Sequence, residues 1–293
     1  MLVMNRLLTA KRAAIVRALA EGNSIRATAR LTGTAKATVL KLLVELGEFC
    51  SIYQDHAHRN LKCQRVEADE IWSFVGAKQK NATKETQGDL WTYTAICSES
   101  KLMVSWLVGA RDHSNTFAFM KDIAFRLANR VQLTTDGLGW YVAAVEAAFG
   151  WNGVDFAQII KTYGTPLDES LRDAQRRYSP AVCTGATRTP VMGNPDMDKV
   201  STSYVERQNL NMRMQMRRFT RLTNGFSKKA ENHAHAVSLY FMFYNYCRPH
   251  QTLTKDAKGV HTTPAMAARL TDHVWEVEEI LERTDPKRLL HSN

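Results

Sequence analysis

Three carboxylates that lie far apart in the chain occupy positions where a fold can bring acidic side chains together. Asp69 lies in the middle of a strand-like segment at residues 65–76, and Asp136 lies near the end of the short strand-like segment VQLTTDG. Glu206 lies in the first turn of a helix-forming segment. Converging carboxylates without histidine or cysteine favour hard divalent ions, Mg²⁺ or Mn²⁺. Two such ions can stabilise both the attacking and the leaving oxygen in phosphoryl transfer.

Asp69 is the most informative of the three, because it interrupts an otherwise apolar run. A buried carboxylate without a partner is costly, so a metal ion or another partner is expected beside it. Its neighbour Glu70 must point to the opposite face of the strand. Alternation along the strand leaves open whether Asp69 or Glu70 faces the site.

The segment TSYVERQNLNMRMQMRRFTRLT, residues 202–223, carries Glu206 as its only acid. On one continuous helix, positions three and four residues apart share a face, and this predicts one polar face and one apolar stripe. The polar face comprises Glu206, Asn209, Arg213, Arg217 and Thr220. The apolar stripe, which we expect to contact the core, comprises Val205, Met212, Met216 and Phe219.

The arginines of this segment surround its single carboxylate. We expect Glu206 to bind metal at the helix start and the arginines to hold DNA phosphates leading into the site. The predicted phosphate-binding residues are Arg213, Arg217, Arg218 and Arg221. The alternative is a solvated basic face without a partner.

The elements that must position these residues follow in a recognisable order. Three strand candidates at residues 65–76, 89–100 and 101–111 form an antiparallel meander. A helix, a strand, a helix and a strand follow between residues 113 and 164. This is the order of a ribonuclease-H-like α/β domain, a mixed sheet flanked by helices. Residues 162–201 have weak periodicity, with a short helix near residues 167–177, and another helix is expected over roughly 227–246.

The first 50 residues predict three helices. Ser24 can cap the second helix, and Gly33 ends it before a third helix begins at residue 35. Two short helices joined by a tight turn are typical of a helix-turn-helix, whose second helix enters the major groove. Its exposed start offers Lys36, Thr38 and Lys41 to DNA. The alternative is a three-helix bundle used for protein contacts.

Charge and composition narrow the class of protein. The 293-residue chain has 44% hydrophobic residues and a formal net charge of +10, which favours a polyanionic partner. The basic residues concentrate in residues 1–50 and 202–229, which suggests two separate contacts with nucleic acid. Five cysteines without a C-x-x-C pair fit reduced thiols. No apolar run approaches a membrane span, so we expect a soluble, cytoplasmic protein that joins the nucleoid when bound to DNA.

Four blocks of the sequence together resemble the insertion sequence 1 family of DDE transposases. They are ADEIWSFVGAKQKN, TTDG, STSYVERQNLNMRMQMRRFTRLTNGFSKK and YNYCRPHQTL with the later TTPAMAA. The resemblance covers roughly residues 60–275, and the long block around Glu206 is its most specific part. It implies a ribonuclease-H-like catalytic domain that cuts and joins DNA with Mg²⁺ or Mn²⁺, with two ions expected. It places the catalytic, metal-binding triad on Asp69, Asp136 and Glu206.

The resemblance also implies partners and a domain plan. The expected partners are double-stranded DNA, as transposon ends and target, and at least one further copy of the chain. Family members often carry an N-terminal zinc-binding cysteine cluster, but only Cys50 and Cys63 precede residue 90, so no zinc is predicted. The predicted plan is a helix-turn-helix domain over residues 1–50, a linker over 51–65, a catalytic domain over 66–253 and a helical tail over 254–293.

Three alternatives remain at this point. A tyrosine recombinase would use a nucleophilic tyrosine with an arginine and a histidine. Tyr93, however, is predicted in mid-strand, and the H-x-x-R match that begins at His56 lies in the linker. An inactive or domesticated transposase would act only as a helix-turn-helix DNA-binding protein. A zinc site at His233 and His235 is disfavoured, because residues two apart on a helix do not face each other.

Overall fold

The computed structural model of the protein describes residues 7–164, 182–220 and 224–284. Its centre is a six-stranded mixed sheet in the order β3-β2-β1-β4-β5-β6. Strands β1, β2 and β3 form the predicted antiparallel meander, β4 lies parallel to β1, β5 lies parallel to β4, and β6 is antiparallel to β5. The strands are β1 (Arg65–Val75), β2 (Gly88–Cys97), β3 (Met103–Gly109), β4 (Val131–Asp136), β5 (Val154–Gly164) and β6 (Val182–Met192).

Helices flank this sheet, which confirms the predicted α/β class. The α-helices of the described residues are α1 (Thr9–Ala20), α2 (Ile25–Thr32), α3 (Lys36–Ala57), α4 (His113–Arg126), α5 (Trp140–Phe149), α6 (Ser203–Gln215), α7 (Ala230–Met242), α8 (Gln251–Asp256), α9 (Pro264–Ala267) and α10 (Val277–Arg283). A π-helical turn, Phe243–Cys247, continues α7. None of these helices is long and apolar enough to cross a membrane.

Strand β6 lies in the segment that was expected to be irregular. It pairs with β5, but its residues 183–190 are exposed. A strand without a buried face has no reason to alternate apolar and polar residues, so periodicity could not reveal it. The short helix expected near residues 167–177 lies outside the described residues.

Helix α2 has the ends that its sequence predicts. The Ser24 hydroxyl accepts a hydrogen bond from the Ala27 amide at 3.1 Å, and Gly33 adopts a left-handed conformation with φ +56°. Helix α3 then begins at Lys36 but continues to Ala57 instead of ending at Gly47. The first seven residues of the predicted linker are therefore helical.

Gly47 lies inside α3 because α7 crosses it there at close range. A Cβ built on Gly47 would lie 2.6 Å from both the Cα and the carbonyl oxygen of His235. Glycine is thus required by the approach of two backbones. This crossing joins the N-terminal helices to the rest of the molecule.

One hydrophobic core extends across the predicted boundary between N-terminal and catalytic regions. Ile15 and Leu43 of the N-terminal helices belong to the same buried cluster as Phe156 of the sheet and Ile280 of α10. Helix α10 packs on α1, and Arg17 pairs with Glu278 at 2.6 Å. The acidic C-terminal helix therefore packs on the N-terminal helices.

A second cluster packs helices α6 and α7 against the sheet. It contains all four residues of the predicted apolar stripe, Val205, Met212, Met216 and Phe219. The helix itself ends at Gln215, however, and Met216 is extended before a 3₁₀ turn, Arg217–Phe219. The prediction that Arg217 and Thr220 continue the helical face of Glu206 is therefore wrong. The four apolar residues are still buried together, because burial of a side chain does not require an unbroken helix.

Candidate active site

The register of the parallel strands β1 and β4 places Asp69 and Asp136 side by side, at the end of their paired segment. The last paired positions of β1 and β4 are Ala68 and Thr135. Asp69 and Asp136 directly follow them on neighbouring strands. Crevices at the carboxyl ends of parallel strands are the usual binding sites of open α/β sheets.

Glu70 joins this pair. One carboxylate oxygen from each of Asp69, Glu70 and Asp136 lies within 4.8 Å of the other two. Asp69 and Glu70 leave opposite faces of β1, but β4 ends at Asp136, so no paired strand separates the two faces at this point. Both carboxylates can therefore approach Asp136.

Asp69 is held by main-chain and side-chain donors. Its Oδ1 accepts a hydrogen bond from the Glu70 amide at 2.8 Å, and its Oδ2 accepts one from Asn209 Nδ2 at 2.9 Å. Burial, reinforced by the negative charge of Asp136, raises the pKa of Asp69 to about 6. Asn209 lies one turn after Glu206 on α6, so this bond also places the helix beside β1.

Glu70 has partners of its own on the other face of the sheet. The Tyr141 hydroxyl donates to Oε1, and Arg111 Nε donates to Oε2 at 3.2 Å. Burial, reinforced by Asp136, raises the pKa of Glu70 to about 7. Arg111 also reaches Asp136 Oδ2 at 3.6 Å, so one cation links two of the acids.

The lining of one cavity distinguishes Asp69 from its neighbour Glu70. A cavity of about 520 Å³ is lined by Asp69, Asp136 and Glu206, and Glu70 is not among its lining residues. The three predicted catalytic residues therefore line one cavity. Glu206 nevertheless stands apart from the acidic group, and its carboxylate accepts hydrogen bonds from Lys161 on β5 and from the Thr202 hydroxyl.

Glu67 is a site residue that sequence reasoning missed. Its side chain is buried, and Oε2 accepts hydrogen bonds from the amides of Tyr204 at 2.7 Å and Val205 at 3.1 Å. These amides belong to the first turn of α6, whose N-cap residue, Thr202, makes no capping bond of its own. Glu67 thus caps the helix that carries Glu206. The available signal was its spacing, two residues before Asp69 and on the same face of β1.

The predicted DNA-binding residues separate into two places. Arg213 lines the carboxylate cavity. Lys36, Arg217 and Arg218 line a second, larger cavity. Lys41 is exposed and Thr38 is half-buried on α3, while Arg221 lies outside the described residues.

The donor set of the carboxylate cavity fits a hard divalent ion. Its acidic residues, Asp69, Asp136 and Glu206, offer carboxylate oxygens. Burial, followed by the charge of Asp136, raises the pKa of Asp69, and a divalent cation would favour the ionised form. Mg²⁺ and Mn²⁺ prefer oxygen donors of this kind.

Comparison with known proteins adds no assignment. No protein-family model matches the chain, and no curated protein matches it significantly. The case for a function therefore depends on the residues and their geometry.

Proposed function

We propose that the protein is a metal-dependent DDE transposase that binds transposon ends, cleaves DNA by hydrolysis and joins the 3′-OH ends to target DNA. The observation that carries this proposal is the shared cavity of Asp69, Asp136 and Glu206. These are the three carboxylates that the resemblance to the insertion sequence 1 family selects.

The strand order supports a ribonuclease-H-like domain. Strands β3-β2-β1-β4-β5 combine an antiparallel meander with two parallel strands, and Asp69 and Asp136 lie where the parallel pairing of β1 and β4 ends. Strand β6 extends this arrangement at one edge. The helix that supplies Glu206 follows the last strand, as the proposed fold requires.

The residues of the cavity have separable roles in this proposal. Asp69, Asp136 and Glu206 would hold two Mg²⁺ or Mn²⁺ ions, which supply stabilisation of the attacking and leaving oxygens. Arg213 lines the same cavity and holds a phosphate of the DNA strand there. Glu67 and Asn209 keep α6 in place against β1.

The N-terminal helices supply end recognition. Helices α2 and α3 are joined by the turn at Gly33, and the exposed start of α3 presents Lys36, Thr38 and Lys41. Lys36 and Lys41 act mainly on phosphates, whereas Thr38 reaches a base edge. Two transposon ends must be cut and joined together, so the working form is at least a dimer. Sedimentation with terminal DNA tests this, and an active complex of one chain with one end would contradict it.

The second candidate function is DNA binding by an inactive transposase. It is favoured by one observation: Glu206 is engaged by Lys161 and stands outside the group of Asp69, Glu70 and Asp136. A tyrosine recombinase has less support. The Tyr93 side chain is buried, and its hydroxyl donates to the Ala110 carbonyl at 3.2 Å.

Cleavage of DNA that flanks the gene in its genome distinguishes these functions. The purified full chain is incubated with a supercoiled plasmid carrying both flanks, in Mg²⁺, Mn²⁺ or EDTA. We expect metal-dependent nicks that leave 3′-OH ends. Asp136→Asn should retain binding and lose cleavage, while Glu231→Gln, at an exposed carboxylate on α7, should keep both.

The remaining outcomes are equally distinct. Binding without cleavage in every metal would overturn the proposal in favour of the DNA-binding protein. A covalent adduct between protein and DNA would support the recombinase. Cleavage retained by Asp136→Asn would refute the assignment of the triad.

A further inference from the structure

A second cavity, of about 760 Å³, lies where the N-terminal helices meet the C-terminal half of the chain. The turn between α1 and α2 and one face of α3 form one side, and the 3₁₀ turn, residues 224–228 and α7 form the other. We call it the interhelical groove. Its size is in the range of small-ligand sites, so it has room for a short stretch of one strand.

The charge of this groove is of a single sign. Its described lining residues include five bases and no acid: Arg26, Lys36, Arg217, Arg218 and Lys228. None of the five takes part in an ion pair within the described part of the chain. Five cations around one concave surface create a positive potential that attracts a polyanion.

Arg218 gives the groove a definite anchoring point. By surface area its residue is half-buried, yet enough protein surrounds the guanidinium for burial to lower its pKa to about 10. Its Nη1 donates a hydrogen bond to the Asn232 carbonyl at 3.1 Å. Within the described residues this cation donates to a neutral carbonyl and forms no ion pair, so an anion from outside would stabilise it.

Apolar side chains also line the groove. They include half-buried Leu19, Ile25 and Leu40. Phe226 lines it too, and its ring stacks on Phe74 with centroids 5.0 Å apart and has the Lys228 ammonium 4.2 Å from its centroid. Proteins bind single-stranded nucleic acid on surfaces that combine basic side chains, which hold phosphates, with apolar and aromatic side chains, which contact bases. The bases of a duplex are already paired and stacked, so they would not contact the apolar residues of the groove.

The end of α6 brings the two basic segments of the sequence together. Because Met216 is extended, Arg217 leaves the predicted Glu206 face, and it lines, with Arg218, the groove that Lys36 lines from α3. The α1–α2 turn is fixed at the same place, where a Cβ on Gly22 would lie 2.6 Å from the Gln215 carbonyl oxygen. Residues that the sequence assigned to two separate contacts thus share one surface.

We propose that the interhelical groove binds a single strand of DNA, anchored by a phosphate at Arg218, next to the duplex held by the N-terminal helices. The choice of DNA as the polyanion rests on the proposed function. In that setting the groove receives an unpaired strand at a transposon end. This role differs from catalysis and from recognition of the terminal sequence.

The test measures binding of a fluorescent oligothymidylate to the full chain in EDTA, where no cleavage occurs. Arg218→Gln should weaken binding about tenfold, since hydrogen bonds to charged groups are strong. Lys228→Gln should weaken oligothymidylate binding severalfold. Because Lys228 is exposed, this variant replaces Arg218→Gln as the test if Arg218→Gln folds poorly. Each lost phosphate contact should reduce the salt dependence of log K by about 0.7.

Two controls distinguish the effect of the groove residues from an effect of net charge and from an effect on duplex binding. Lys255→Gln removes an exposed charge outside the groove and should leave binding unchanged. Binding of the same length of blunt duplex should change less than twofold in Arg218→Gln and Lys228→Gln. Equal weakening of strand and duplex, or no weakening of either, would overturn the proposal. Failure of metal-dependent cleavage would leave these binding results intact, so the two proposals fail separately.

Discussion

At the scale of single residues, ionised Asp69 destabilises the metal-free fold but offers a carboxylate that can bind a cation. Burial and the charge of Asp136 raise the pKa of Asp69 from 3.8 to about 6 in the folded protein. The folded state therefore binds the proton more tightly than the unfolded state. As pH rises from about 4 through 6, Asp69 ionises and the free energy of unfolding falls. The full decrease is present above that range.

Asp69→Asn should therefore stabilise the metal-free protein by about 1–3 kcal/mol at pH 8 and by much less near pH 4. Mg²⁺ should raise the melting temperature of the wild-type chain by binding only its folded form, and should do so less in Asp69→Asn. Thermal unfolding in EDTA and in Mg²⁺, at both pH values, measures these effects. The exposed control Glu231→Gln should follow the wild type, and a destabilised Asp69→Asn at pH 8 would contradict this account.

At the scale of elements, the first turn of α6 depends on a strand residue. Glu67 accepts from the amides of Tyr204 and Val205, and its removal would leave both without that acceptor. Glu67→Ala should lower the free energy of unfolding by about 1–3 kcal/mol and reduce Mg²⁺ binding by displacing Glu206. Glu67→Gln keeps an acceptor oxygen and should lose clearly less. Urea unfolding and Mg²⁺ titration measure both, and equal effects of the two variants would exclude a capping role.

The elements also show where sequence reasoning holds and where it stops. The meander, β4, α4 and α5 follow from the pattern of apolar and β-forming residues. That Asp69, Asp136 and Glu206 line one cavity was expected from their places in β1, β4 and α6. Strand β6 could not be predicted, because its residues 183–190 are exposed on both faces. The end of α6 at Gln215 and the cap from Glu67 depend on tertiary contacts, which no local pattern records.

At the scale of the whole molecule, the N-terminal helices are part of the main core. Gly47 is where α3 and α7 meet most closely, and a Cβ there would overlap the His235 backbone. Gly47→Ala should lower the free energy of unfolding by about 1–3 kcal/mol, because the two helices must move apart. The matched control is Gly139→Ala at the start of α5, where a Cβ meets no atom within 4 Å. Calorimetry should show one cooperative transition in both, and an unaffected Gly47→Ala would contradict the close crossing.

The α3–α7 crossing also determines how the gene tolerates random change. Every missense substitution in codon 47 adds at least a Cβ, since glycine alone lacks one. Exposed positions of the same helix, such as Lys41 and Glu48, can exchange side chains without touching α7. In a mutagenesis library selected for soluble expression, codon 47 should therefore stay invariant while the outward codons of α3 diversify.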